Sequence, residues 1–173
     1  MTEFSDSAPE LNGLSLAAAT EALTRCCGSQ RWVTGMLERR PFASRAAVFA
    51  AASEVWAELG PEDYREAFAH HPEIGENIDA LRQKFAATAD FARSEQSGAL
   101  GASEATLHAL RQGNQAYRAR FGYSFIVCAT GKSAEEMRQL LEARLASSAE
   151  QELAIAAAEQ AKITRLRLEK IGP

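Results

Sequence analysis

The chain has 173 residues and a formal net charge of −4, a length that suits one domain burying roughly 70% of its unfolded surface. The acidic balance argues against a nucleic-acid partner, which needs a basic face, but leaves room for a small anion held by local cations. No run approaches the ~20 consecutive apolar residues of a membrane span, so no membrane partner is expected. The opening Met1-Thr2-Glu3-Phe4-Ser5-Asp6 does not resemble a secretory signal, nor the closing Lys170-Ile171-Gly172-Pro173 a peroxisomal address. Three cysteines make an odd count, and Cys26 adjoins Cys27. Free thiols in a reducing cytoplasm are the expectation.

Taken in chain order, strong helix formers dominate and β-branched residues are scarce. Residues 1–10 read as a frayed tail and 11–173 as a single helical domain. A first helix starts near Ser15 with Leu16, Ala19 and Leu23 on one face, and Gly28 is expected to cap its end. Ser29 opens a second helix bearing Trp32, Val33 and Met36, which stops before Pro41. From Ser44 a third carries Val48, Ala51 and Val55 at helical spacing. Gly60-Pro61 breaks it, and Pro61 starts the next, with Glu62 and Asp63 in its acidic first turn. That helix should end at His70 or His71, because proline at 72 disfavours helix at the residue before it.

Further helices are expected over 79–99, 103–121, from Ser133 to about Leu145, and from Ser148 to Ile171. The fold class is therefore all-α, a single-domain bundle of about seven to nine helices. One short extended apolar segment, near 123–130, is the exception. Its length suits a strand, but no second strand-like segment exists to pair with it. Either it is a buried connector, or its unpaired N–H and C=O groups are offered to a ligand.

Some residues do not fit a packed helical core. His70 and His71 stand side by side before Pro72, and histidine is the side chain that titrates near neutral pH. A metal site is not expected, since the two point in different directions and no zinc-ligand spacing lies nearby. His108, amid Leu107 and Leu110, reads as structural. In a continuous helix Gln96 interrupts the stripe formed by Phe85, Ala89, Ala92 and Ala99, with Glu95 at its flank. Buried, that amide needs partners; exposed, the two form an ordinary surface pair. On the last helix Arg167 lies one turn from Ile163 on the same side, and Arg165 points nearly opposite. Arg167 could grip a carboxylate, or snorkel along the apolar face.

Together these residues resemble the 2-oxo-4-hydroxy-4-carboxy-5-ureidoimidazoline (OHCU) decarboxylase family, the last enzyme of the urate-to-allantoin route. The resemblance runs through Arg40-Pro41-Phe42, His71-Pro72, Glu95-Gln96, Asn114, Tyr117 and Phe121-Gly122-Tyr123-Ser124-Phe125-Ile126-Val127-Cys128. It closes on Glu135-Glu136-Met137, Arg144-Leu145 and Lys162-Ile163-Thr164-Arg165-Leu166-Arg167-Leu168. It implies His71, not His70, as the catalytic histidine, with Glu95 beside it. It implies that Pro72, Gln96, the backbone of Phe125, Ile126 and Val127, and Arg167 contact the substrate. It also implies a homodimer.

Two departures stand out. Ala92 replaces a serine common in the family, removing one substrate hydrogen bond, and Tyr123-Ser124-Phe125 replaces the usual Phe-Pro-Phe. The implied reaction needs no metal or organic cofactor, because a C=N bond beside the carboxylated carbon accepts the electrons left by CO2. Two other classes of function stay open on the sequence: a helical module that binds a ureido or purine-like ligand without turnover, and an interaction protein without a small-molecule site.

Overall fold

The structure is a computed structural model that describes residues 9–71, 79, 83 and 103–171. Those residues form eight helices and no strand. They are α1 Glu10–Gly13, α2 Leu16–Cys26, α3 Gln30–Glu38, α4 Arg45–Ala57, α5 Pro61–Ala69, α6 Glu104–Phe121, α7 Ala134–Leu145 and α8 Ala149–Glu169. None is long and apolar enough to cross a membrane. The helix expected over 79–99 falls outside the described residues, apart from Asp79 and Gln83.

Serine sets most of the starts. The hydroxyls of Ser15, Ser29, Ser44, Ser103 and Ser133 accept from backbone N–H groups in the first turns of α2, α3, α4, α6 and α7. Each satisfies one of the donors that a helix start leaves orphaned, worth about 1 kcal/mol. Ser148 and Gln151 cap α8 reciprocally, at 3.2 Å in both directions. The stop assigned to Gly28 is corrected. Cys27 closes α2 in an extended conformation (φ −149°, ψ 126°), and Gly28 does not adopt the left-handed conformation.

The chain divides into two compact units, residues 1–70 with 157–173, and residues 71–156. In the first unit α3 packs against α2, α4 and α5. Trp32, Met36, Leu23 and Phe68 are fully buried there. The indole of Trp32 donates to Ala52 O (3.2 Å) and that of Trp56 to Ala157 O (3.0 Å), so neither buried N–H is orphaned. Truncating such a side chain to alanine costs about 3–5 kcal/mol.

Helix α1 was not among the expected elements, and four residues are too few to nucleate alone. Tertiary bonds hold it instead. Asn12 exchanges two 2.8 Å hydrogen bonds with the Phe42 backbone. Arg40, which precedes a cis proline, donates to Leu14 O at 2.6 Å and to Asn12 O at 3.2 Å.

In the second unit α6 packs against α7. Gly122 ends α6 in the left-handed conformation (φ 83°), its N–H on Arg118 O at 2.9 Å. Only glycine takes that conformation without a Cβ penalty. The following residues, 124–129, are neither helix nor strand, as expected of the apolar segment. Tyr123, Phe125, Ile126 and Val127 are all buried.

Candidate active site

Of the expected site residues the structure describes His71, Phe125, Ile126, Val127 and Arg167. Pro72, Glu95 and Gln96 lie outside the described residues, as does Ala92.

The two histidines differ from one another. His70 is the C-cap of α5, in helical conformation (φ −82°, ψ −5°), and its N–H bonds back to Ala67 O and Phe68 O. Its ring lies directly on Gly28: a Cβ at Gly28 would stand 2.3 Å from the ring atoms Cγ and Cδ2. Glycine is therefore required at position 28 by close approach, not by turn geometry. His71 opens the second unit and is half-buried, whereas His70 remains exposed overall.

Arg167 borders the apolar face of α8, as its spacing predicts. It is half-buried, while Arg165 is exposed. Its Nη1 donates to Arg25 O at 3.2 Å and Cys26 O at 3.5 Å. These are the last carbonyls of α2, where a cation is favoured by the helix dipole. Arg165 is not merely solvated: it stacks over the Phe49 ring at 4.4 Å and pairs with Glu169. Within the first unit, then, the turn Arg25–Gly28 meets both Arg167 and His70.

The thiols in that turn are held neutral. Burial pushes Cys26 up to about 11, against smaller opposing pulls from Arg167 and Arg25. Burial likewise pushes Cys27 up to about 11, opposed by hydrogen bonds involving Ser29 and Thr164. Neither is a nucleophile at neutral pH. A cavity of about 220 Å³ lies elsewhere in the same unit, lined by Trp32, Phe49, Trp56 and Arg165 among others, and none of the expected site residues lines it. It is smaller than the ~300 Å³ at which ligand pockets usually begin.

The segment Phe125–Val127 is fixed by a buried polar cluster that sequence reading missed. Arg144, only 7% exposed, donates through Nη1 to Ile126 O and through Nε to Glu152 Oε1 at 2.7 Å. The fully buried Tyr117 hydroxyl also donates to Glu152 Oε1. Burial, reinforced by the Glu152 carboxylate, pushes the Tyr117 hydroxyl above its usual range, so it stays a proton donor. The Arg144 guanidinium lies 4.5 Å above the Phe125 ring, whose centroid is 5.3 Å from that of Tyr117, edge to face.

A signal for this cluster was present in the sequence. Arg144 follows Met137 and Leu141 on the buried stripe of α7. Glu152, Ala156, Gln160, Thr164 and Leu168 recur every fourth residue along α8, and all are buried. A charged residue on an apolar stripe demands a partner, the same reasoning that singled out Gln96.

Comparison with known proteins bears on the family. The OHCU decarboxylase family profile matches residues 12–169. The chain is 37% identical over 150 residues to the uric acid degradation bifunctional protein TTL of Arabidopsis thaliana, covering 84% of this chain and 45% of that protein. It is 26% identical over 166 residues to the uric acid degradation bifunctional protein of Bacillus sp. (strain TB-90), covering 94% of this chain and 31% of that one. It thus spans less than half the length of these curated relatives. Among solved structures, it superposes on an OHCU decarboxylase crystallised in the presence of (S)-allantoin with a TM-score of 0.70 and 33% identity, covering 87% of this chain and 96% of that one. The profile spanning nearly the whole sequence, together with 37% identity to a uric acid degradation protein over 84% of this chain, places this chain in the OHCU decarboxylase family.

Proposed function

We propose that this chain decarboxylates OHCU to (S)-allantoin and CO2 without a cofactor, as a step of urate catabolism. The observation that carries the reading is the match to a solved OHCU decarboxylase over 96% of that protein's length at 33% identity. The bond from the ring carbon to the carboxylate breaks, CO2 leaves, and the electron pair moves into the neighbouring C=N. A proton then returns to one face of the ring. The protein must orient the carboxylate, stabilise developing charge and deliver that proton.

His71 is the proposed acid–base, and Glu95 orients its imidazole or holds the substrate hydroxyl. Pro72, next to His71 in the chain, is proposed to contact the substrate. Gln96 and the backbone of Phe125, Ile126 and Val127 match the donors and acceptors of the ring and ureido group. The non-helical, buried state of that backbone supports this role, because buried N–H and C=O groups need partners. Arg167 supplies a cation for the substrate carboxylate. We further propose a cytoplasmic homodimer.

A second reading, ligand binding without turnover, is favoured by Ala92 in place of the family's serine. Freshly prepared OHCU separates the two. Optical rotation should grow to that of one allantoin enantiomer with enzyme, and remain at the racemic background if the chain only binds. Sedimentation velocity at micromolar concentration tests the dimer, and a lone monomer boundary would refute it.

A further inference from the structure

We propose that Arg144 is a positioning residue for substrate binding: it aims the Ile126–Val127 peptide so that the Val127 N–H serves as a donor to the carbonyl-rich ureido-imidazoline. This inference rests on the decarboxylase reading above. Its starting point is how the segment is held. Phe125, Ile126 and Val127 are buried, belong to no helix or sheet, and among the described residues their N–H groups make no backbone–backbone hydrogen bond. A peptide plane in such a stretch has no ladder to fix its rotation.

Arg144 supplies the missing constraint. Its Nη1 bonds to Ile126 O. Its Nε bonds to Glu152 Oε1, which also accepts from Tyr117. Its flat face rests on the Phe125 ring. Three of its surfaces are thereby fixed, and the planar fork transmits that rigidity to one carbonyl. In a trans peptide the C=O and the following N–H point in opposite directions. Anchoring Ile126 O on Arg144 therefore turns the Val127 N–H away from the Tyr117–Glu152–Arg144 cluster. The charge-assisted bond at oxygen also polarises the peptide, which makes that N–H a better donor. A pair that served packing alone would need only the Arg144–Glu152 contact; here a further nitrogen of the guanidinium is committed to the segment.

The test compares Arg144→Lys with Met137→Ala in the full chain, by steady-state decarboxylation of OHCU and thermal unfolding. Lysine keeps the charge facing Glu152 but cannot also hold the carbonyl. Its KM should rise about tenfold, the worth of one charge-assisted hydrogen bond, with kcat within about threefold, because uniform binding is what is lost. Met137, fully buried on the same helix, provides a stability control: Met137→Ala should lower Tm while KM stays within about twofold. An unchanged KM in folded Arg144→Lys overturns the proposal, as does an equal KM rise in both variants. If Arg144→Lys does not fold, the wild-type protein decides. On adding (S)-allantoin the Val127 amide proton should move downfield in a ¹⁵N-edited spectrum, and an unmoved Val127 resonance with bound allantoin overturns the proposal. A wild-type chain that neither turns over OHCU nor binds allantoin overturns the decarboxylase reading itself, and this inference with it.

Discussion

Replacing Gly28 with alanine tests how tightly the end of α5 is held. The new methyl would stand 2.3 Å from Cγ and Cδ2 of His70 and 2.7 Å from its Cβ, where ordinary contact begins at 3.4 Å. Swinging the exposed ring toward solvent relieves the first two overlaps. It does not relieve the third, since Cβ does not move with χ1. The backbone at His70 must therefore retreat by several tenths of an ångström, and the peptide leading into His71 retreats with it. Overpacking of this kind costs about 1–3 kcal/mol, and the exposed ring puts the cost near the lower figure. Catalysis should suffer more. A catalytic group displaced by about 1 Å can lose on the order of 10²-fold in rate, so kcat should fall roughly tenfold to a hundredfold while Tm changes by a few degrees. The assay is OHCU decarboxylation on Gly28→Ala, His70→Gly and the double variant. Removing the His70 Cβ should restore most of the lost rate in the double variant, a coupling that independent sites do not show. Wild-type kcat and KM in folded Gly28→Ala would refute the argument that the Gly28–His70 contact sets the position of His71.

His71→Asn should abolish turnover with Tm nearly unchanged, whereas His70→Ala should be mild; the reverse order would shift the catalytic assignment by one residue. Arg167→Lys should impair substrate use through loss of the planar fork while still capping α2, and Arg165→Lys should do little; side-by-side kinetics decide, and a larger loss at 165 would show that the rotation of α8 is misassigned. Glu95→Gln should lower kcat strongly, and Gln96→Ala should weaken binding by about 0.5–1.5 kcal/mol, measured as KM; negligible effects from both would make them a surface pair. The thiols give a pH dependence. Cys26 and Cys27 are pushed from 9.0 to about 11 in the folded state, so between those values the folded chain holds protons that the unfolded chain has lost. Stability should be flat below pH 9 and fall as pH rises toward 11. Urea midpoints across that window check it, and a Cys27→Ala variant should show a shallower fall.

The helix starts were legible because a serine cap acts locally. Ser29, Ser44, Ser103 and Ser133 reveal themselves by the next few residues, whatever the rest of the chain does. The rotation of α8 was legible for the same reason, since the 3.6-residue period separates Arg167 from Arg165 without tertiary knowledge. Gly28 was misread because its reason lies across the fold, in a ring 42 positions along the chain. Sequence pattern offers a glycine after a helix as a cap, and the competing cause, close approach of a side chain, leaves no local mark. Helix α1 failed similarly, since Asn12 finds Phe42 only once the chain has folded. The Arg144–Glu152 pair lies between these cases. Arg144 breaks an apolar stripe visible in the sequence, but its partnership with Glu152, and its bond to the Ile126 carbonyl, are tertiary.

The last helix is common property. Its residues up to Ala156 belong to one compact unit and those from Ala157 to the other. It supplies Glu152 to Arg144 and Tyr117, and the Ala157 carbonyl to Trp56. During synthesis the ribosome releases α1 to α7 before either demand can be met. Until Glu152 emerges, Arg144 has a cation to bury and no carboxylate to bury it with; until Ala157 emerges, the Trp56 indole has no acceptor. Neither unit is complete until part of α8 has been made, and a nascent chain halted before Ala149 should remain chaperone-bound and protease-sensitive throughout rather than present one finished half.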